Sequence, residues 1–440
     1  MPASTFRVGI DLGTTNSVVS YLSNEGNEPI LLPIPQVMAD GSVQEFDYLP
    51  SAIYLLAADE KLDPVLPWRN GDKKCIVGVG ALALGQRRAG QLVQSAKSWL
   101  SHRQVDRRAA ILPWASDFAK KMSPLEASEV LLMHIKQSWN HKFPDAPLEE
   151  QTIALTLPAS FDEEARALTL EAAKNAGLVD LYLLEEPQAA CYHYISDDEK
   201  LAALASKKML LVVDIGGGTS DFSLVSIQPN AQTQQSVSLK RTAVGEHLLL
   251  GGDNLDQALA FQLDPKQIST LSATRLAALV QQTRQAKETL LSENAPETVS
   301  ITVLGGGSRL IGGSQKFSVS RDALLEQVRS GFFPLVDLQD KVQKSDYAMH
   351  TLGLPYESDP AFSRHLAAFL ASHQEVIQQA TGSSMPDAVL FNGGLFNSSV
   401  LKSQLLNQLN AWSDTPILAC VADEPNDAVA KGAALYLSAL

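Results

Sequence analysis

Cysteine is scarce in this chain. Cys75, Cys191 and Cys420 lie far apart with no C-x-x-C pair, so neither a disulfide framework nor a zinc knuckle is indicated. No apolar run is long enough to form a membrane helix, and membrane partners are not expected. The opening Met-Pro-Ala-Ser-Thr-Phe-Arg has no signal-peptide pattern and runs directly into a strand-like segment, so a reducing cytoplasm is the expected setting. Basic charge is also short, with 35 Lys and Arg against 49 Asp and Glu and a net charge of −14. Nucleic-acid binding needs clustered cations. The candidates here (Arg103, Arg107, Arg108, Lys120) are interrupted by acids and apolar residues and read as a solvated face.

What is present is enough apolar material for more than one core. Hydrophobic residues make up 45% of 440 positions, which predicts two or more domains. The most informative stretch is residues 210–225, Leu-Leu-Val-Val-Asp-Ile-Gly-Gly-Gly-Thr-Ser-Asp-Phe-Ser-Leu-Val. An apolar strand reaches Asp214, three glycines follow, and alternation resumes after Asp221. That reads as a β-hairpin whose tip is bare backbone. Without Cβ atoms its N–H groups can wrap an anion closely, and a tip carboxylate can hold magnesium, usually through water. Residues 6–22 repeat the design, with an apolar strand ending at Asp11, a Gly/Thr/Thr turn and a return strand from Ser17. Two acid-tipped hairpins half a chain apart suggest two similar α/β lobes gripping one phosphate chain.

Between and after these hairpins the reading is coarser. Residues 41–79 are turn-rich and read as an insertion, with a strand at Leu49-Pro-Ser-Ala-Ile-Tyr54, and Lys97 falls in a short helix. Ser123-Pro-Leu-Glu126 is a capping box opening a helix to about His141, and Ser160-Phe-Asp-Glu163 reads as a second one. Strands are predicted at residues 152–157 and 181–184, then a helix from Glu185-Glu186-Pro187 and a polar loop at residues 196–200. A Gly-Gly turn at Gly251 and Gly252 opens another helix. Residues 270–293 read as mainly helical, with Leu276, Val280, Thr283 and Lys287 on one face. A hairpin is predicted around Gly305-Gly-Gly-Ser-Arg309, and a strand ends in Asn392-Gly393-Gly394. A last helix is expected to start at Asn426 and run nearly to Leu440.

In this order the pieces resemble the nucleotide-binding domain of the heat-shock seventy (DnaK-type) chaperones, within the actin and sugar-kinase superfamily. The most specific matches are Gly9-Ile-Asp-Leu-Gly-Thr-Thr-Asn-Ser17 and Asp214-Ile-Gly-Gly-Gly-Thr-Ser-Asp221, supported by Pro158-Ala-Ser-Phe-Asp162, Glu186-Pro187, Leu250-Gly-Gly-Asp253 and Asp427-Ala-Val-Ala-Lys-Gly-Ala-Ala434. The resemblance implies an actin-like α/β fold of two lobes, each carrying an inserted subdomain, with ATP or ADP and magnesium between them and potassium as a further candidate ion. Lobe I would span residues 1–200 with its insertion at about 36–122. Lobe II would span 201–440 with its insertion at about 250–325, and a helix at 427–440 would pack back on lobe I.

Carried over by position, the resemblance gives Asp11 and Asp214 to magnesium and Lys97 to the γ-phosphate and attacking water. Glu186 falls near the metal, and Thr219 near the γ-phosphate. Phosphates would meet Gly13, Thr14, Thr15, Asn16, Gly216, Gly217 and Gly218, with Asp221 the second acid of the central loop. Gly251 and Gly252 would face the nucleotide, Lys287 the ribose, and Gly393 and Gly394 the adenosine. Departures cluster on the base side. Asn397 ends a changed glycine motif, Asn426 stands where Asp is common, and Arg284 and Glu288 replace an acid and a base. Ser98 also replaces an arginine. Phosphate chemistry is thus kept while the base pocket is rebuilt, and weaker adenine selectivity is expected.

An ATPase switch read by a co-chaperone or nucleotide-exchange partner is the leading expectation. An actin-like filament former, a sugar or metabolite kinase and a nucleotide-binding pseudoenzyme are the alternatives. A peptide-client domain is not recognisable in this sequence, so stimulation by unfolded peptide is not expected.

Overall fold

The computed structural model describes residues 5–24, 26–60, 66–68, 75–229, 237–263, 271, 273–303, 315–343 and 353–440. The predicted turn at residues 305–309 lies outside them. Two mixed sheets organise the rest. The first contains β1 (Phe6–Leu12), β2 (Asn16–Ser23), β3 (Thr152–Leu157) and β4 (Leu181–Glu185), in the order β4-β3-β1-β2. The second contains β5 (Met209–Ile215), β6 (Ser220–Pro229), β7 (Val237–Val244), β8 (Ala388–Asn392) and β9 (Leu418–Val421), in the order β7-β6-β5-β8-β9.

The sheets share one plan. An antiparallel hairpin pairs β1 with β2 and β5 with β6, and two parallel strands lie on the other side of β1 and of β5. Parallel strands must be buried on both faces, which explains apolar runs such as Leu210 to Val213, all at 0–1% exposure. Each sheet has its own hydrophobic cluster, and a third joins them through α4 (Glu186–Tyr194) and α7 (Ala428–Tyr436). The fold is thus α/β with two similar lobes, the actin-like ATPase architecture.

Helix α7 crosses from the second lobe to the first at backbone distance. A Cβ on Gly432 would lie 1.8 Å from the Ala189 carbonyl, and one on Gly9 would lie 2.2 Å from that of Ala430. Only glycine permits such contacts.

Local expectations fail in five places, each for a physical reason. Arg107, expected on a solvated face, is only 2% exposed because Asp162 pairs with it there. Helix α3 (Glu163–Asn175) is capped by Asp162, which accepts from the Ala165 N–H at 2.8 Å, not by Ser160. Both residues can cap, but Arg107 grips both Asp162 carboxylate oxygens at 3.0 Å and fixes it there. The last helix begins at Ala428, with Asp427 and not Asn426 at its N-cap, and the Asp427 carboxylate accepts from the Tyr48 hydroxyl at 2.6 Å rather than capping the helix. The polar loop at 196–200 contains the start of a helix, Asp198–Ala205, capped by Asp197. The single strand expected at 49–54 is two, Tyr48–Pro50 and Ile53–Leu55, in different sheets. Between them, Ser51 turns to bond the Gly13 carbonyl at 2.7 Å.

Candidate functional site

A cavity of about 590 Å³ opens between the lobes and is lined from both hairpins. Where the two hairpin strands end, it is lined by Asp11, one residue from the end of β1, and Asp214, one residue from the end of β5. Thr156 donates to Asp11 at 3.2 Å, and the Asn392 amide donates to Asp214 at 2.7 Å. Lys97, in α1 (Ala96–Ser101), reaches Glu186 at 2.5 Å, and each of these side chains is only 12% exposed. Pro187 in the first turn of α4 fixes the entry of that helix and so the aim of Glu186.

Charge at this end is out of balance. Burial pushes the Asp214 carboxyl up to about 7, with Asp221 and Asp11 adding to it against the Asn392 bond. Burial also pushes Glu186 up to about 8, although Lys97 opposes it. Asp11 is raised by the same desolvation. Burial alone would lower Lys97, but Glu186, Asp11 and Asp214 together hold it above its ordinary value. One ammonium thus serves three buried carboxylates. Such an arrangement is built to receive further positive charge.

The glycine tip is held by its surroundings. The Gly216 N–H bonds the Thr219 carbonyl at 2.9 Å, closing the turn, while the N–H groups of Gly252 and Asp253 bond the carbonyls of Gly216 and Gly217 at 3.0 and 2.6 Å. A Cβ on Gly217 would meet Thr15 Oγ1 at 2.1 Å, and one on Gly218 would meet Ser98 Oγ at 2.6 Å. The two tips therefore touch across the cleft, and a buried serine at position 98 leaves space where a longer side chain would collide. Ser95, which precedes α1, sits at φ +53°. Strain at a non-glycine residue of this kind is tolerated chiefly at functional positions.

Of the sequence-predicted residues, the cavity brings together Asp11, Gly13, Thr14, Thr15, Asn16, Lys97, Glu186, Asp214, Gly216, Gly217, Thr219, Asp221, Gly252, Lys287, Glu288, Gly393, Gly394, Asn397 and Asn426. Gly218 and Gly251 are not in its lining. Gly251 is packed against the Gly217 carbonyl and supports the tip from behind. Gly393 needs its φ of +90°, and its Cβ position is filled by the Ile215 carbonyl at 2.4 Å.

The cavity lining also includes Glu288, Leu291, Ser292, Glu293, Asn397, Ser398 and Asn426, with Asn397 donating to Asn426 at 3.1 Å. Arg284 does not pair with Glu288, four residues on. It is drawn instead to Asp253 and, at 3.1 Å, to the fully buried Asp256, which Lys287 also meets at 2.8 Å. Buried acids outcompete an exposed neighbour on the helix, because charge pairs strengthen where water is excluded.

Thr156, Asn392 and Asp253 were missed by sequence reading. Asn392 carried a usable signal, since it ends β8 directly before the glycine pair.

Compared with known families, residues 82–309 match the Hsp70 protein family. The chain belongs to the Hsp70 family. Among curated Hsp70-type relatives, "Chaperone protein HscA homolog" of Janthinobacterium sp. (strain Marseille) is 31% identical over 317 residues, covering 69% of this chain and 44% of that protein. The HscA homologs of Herminiimonas arsenicoxydans and Acinetobacter baumannii (strain AYE) are 29% and 30% identical, over 69% and 66% of this chain and 44% and 43% of theirs. The match therefore spans less than half the length of these curated relatives. Among the described residues no helix is long and apolar enough to cross a membrane.

Proposed function

We propose that this chain binds Mg-ATP in the inter-lobe cleft and hydrolyses it slowly, as the nucleotide switch of an Hsp70-type chaperone. The observation that carries the reading is the meeting of both acid-tipped hairpins, Lys97 and Glu186 in one cavity. The residues fit a magnesium–polyphosphate group on two grounds. Buried carboxylates exceed the single ammonium beside them, and Gly217 brings bare backbone to the cavity wall. Among the described residues no three His, Cys, Asp or Glu side chains converge to hold a metal by themselves. Asp11 and Asp214 would therefore hold the ion together with water and phosphate oxygens. Magnesium, when bound, supplies neutralising charge for the polyphosphate.

Phosphoryl transfer asks mainly for placement and electrostatic stabilisation. Amides of Gly13, Thr14, Thr15 and Gly217 would orient phosphate oxygens, and Thr219 would add a hydroxyl. Lys97 would stabilise charge developing on the transferred group. Glu186, titrating near neutrality, is able to take a proton from an attacking water. We read residues 1–200 and 201–440 as the two lobes, a cytoplasmic location as the setting, and a co-chaperone or exchange factor as the partner.

The test is calorimetric titration with ATP, ADP and GTP, with and without magnesium, followed by single-turnover hydrolysis. Magnesium-dependent binding with slow turnover is expected. Absence of binding at millimolar Mg-ATP overturns the reading.

A further inference from the structure

One acid at the phosphate end has surroundings that this chemistry leaves unexplained. Asp221 lines the cleft and is 6% exposed. Its Oδ1 accepts from the Ser160 hydroxyl and lies 3.3 Å from His247 Nδ1, while Ser160 Oγ lies 2.8 Å from that same nitrogen. With its proton on Nδ1, the imidazole donates to Ser160 as Ser160 donates to Asp221, so three groups close a ring on one carboxylate oxygen. This is not a hydrolytic triad. In a triad the acid and the serine take opposite ring nitrogens, whereas here both meet Nδ1, and Nε2 is buried without a hydrogen-bond partner.

The ring joins the two lobes. Ser160 comes from the turn between β3 and α3, and Asp221 and His247 come from the second sheet and the segment after it. Each side is fixed to its own scaffold. On the first lobe, Arg107 clamps Asp162 two residues past Ser160. Phe161 packs edge-on against the His247 ring, with centroids 5.4 Å apart. On the second, the Gly245 N–H bonds the Phe222 carbonyl at 2.8 Å, and Leu248 and Ser220 exchange backbone bonds at 3.2 and 2.9 Å. Separating the lobes by about 1 Å at this point takes Ser160 out of hydrogen-bonding range of His247 Nδ1, which it meets at 2.8 Å.

We propose that Ser160 and His247 are positioning residues that fix Asp221 at the phosphate end of the cleft, so that hydrolysis is supported only when the lobes are closed on this contact. Both contacts fall on Oδ1, and Asp221 lines the cleft. The proposal rests on the ATPase reading above and adds the residues that make turnover depend on closure.

Steady-state kinetics with Mg-ATP on the full chain test it, using Ser160→Ala, Ser160→Thr, His247→Leu and His247→Asn, with thermal melting as the fold control. Ser160→Ala should lower kcat about tenfold with KM within about twofold, and Ser160→Thr, which restores the hydroxyl, should recover most of the loss. His247→Leu should fall similarly, while His247→Asn, which keeps a donor near Nδ1, should retain most activity. If Ser160→Ala does not fold, the His247 pair decides. Unchanged kcat in Ser160→Ala, or a Ser160→Thr as impaired as the alanine, overturns the proposal while the ATPase reading stands. A wild-type chain that binds no nucleotide and turns none over overturns both.

Discussion

Replacing Asp214 with asparagine should stabilise the protein in the absence of nucleotide and destroy its response to magnesium. Asp214 is buried beside Asp11 and Asp221, with its carboxyl pushed up to about 7 from 3.8. A shift of about three units corresponds to roughly 4 kcal/mol of disfavoured ionisation above pH 7, at about 1.4 kcal/mol per unit, and coupling to Asp11 and Glu186 makes this an upper bound. The direction with pH follows from proton counting. Between the unfolded value near 4 and the folded value near 7, the folded chain holds a proton that the unfolded chain has lost. Stability therefore falls as pH rises through this window, and the penalty is complete above about 7. Asparagine has the same shape, can still accept from Asn392, and carries no charge.

Thermal unfolding of wild type and Asp214→Asn at pH 5.5 and pH 8.5, with and without Mg-ATP, reads the effect. Without nucleotide, the variant should be more stable than wild type by about 1–3 kcal/mol at pH 8.5, and the gap should narrow at pH 5.5. With nucleotide at about a hundred times its Kd, wild type should gain roughly 2.7 kcal/mol and the variant much less. A variant less stable than wild type at pH 8.5, or one that keeps the full magnesium response, refutes the reasoning.

Lys97→Ala should retain nucleotide binding but slow single-turnover hydrolysis by about a hundredfold, as for loss of one transition-state donor; an unchanged rate removes Lys97 from the site. If the base sits beside Glu288, Asn397 and Asn426, as proposed, it meets no free guanidinium from Arg284, which is held by Asp253 and Asp256, and calorimetric Kd values for ATP and GTP should agree within about tenfold; a preference of several orders of magnitude for ATP counts against that account of the pocket. Arg107→Ala should cost about 2 kcal/mol at pH 7 in denaturant unfolding, since it leaves Asp162 without its bidentate partner, itself partly exposed. Asp162 is held down to about 2, chiefly by its hydrogen bonds to Arg107, so that contribution is present above pH 4 and fades as pH falls toward 2.

The parts of the site legible in the sequence are those whose chemistry is local. A strand, an acid and a run of glycines specify a hairpin tip wherever they occur, and Pro187 marks the helix that carries Glu186. The unread parts depend on partners distant in sequence. Arg284 could not be assigned to Asp256 from spacing alone, since 28 residues separate them, and the neighbour at i,i+4 was the obvious choice on an isolated helix. Ser160 was read as a cap for the same reason, because the residue that displaced it is secured by Arg107, 55 positions away. The apparent capping box was therefore a true signal assigned to the wrong residue, and its error freed Ser160 for a contact on the opposite lobe.

That reassignment connects the fold to its chemistry. Each sheet of the pair packs on its own hydrophobic cluster, and the helices α4 and α7 join them by close backbone packing that only glycine allows. The cleft face of the same junction is polar and over-supplied with carboxylates, so closing the lobes there brings like charges together. Apolar packing between α4 and α7 therefore favours closure while the cleft opposes it. On the proposed reading, a cation bound at Asp11 and Asp214 would remove the opposition, and the serine, histidine and aspartate contact lies on the side that would then close. On these terms the nucleotide-dependent step is an electrostatic one set against constant packing, and its sensitivity to salt and pH should exceed that of the fold as a whole.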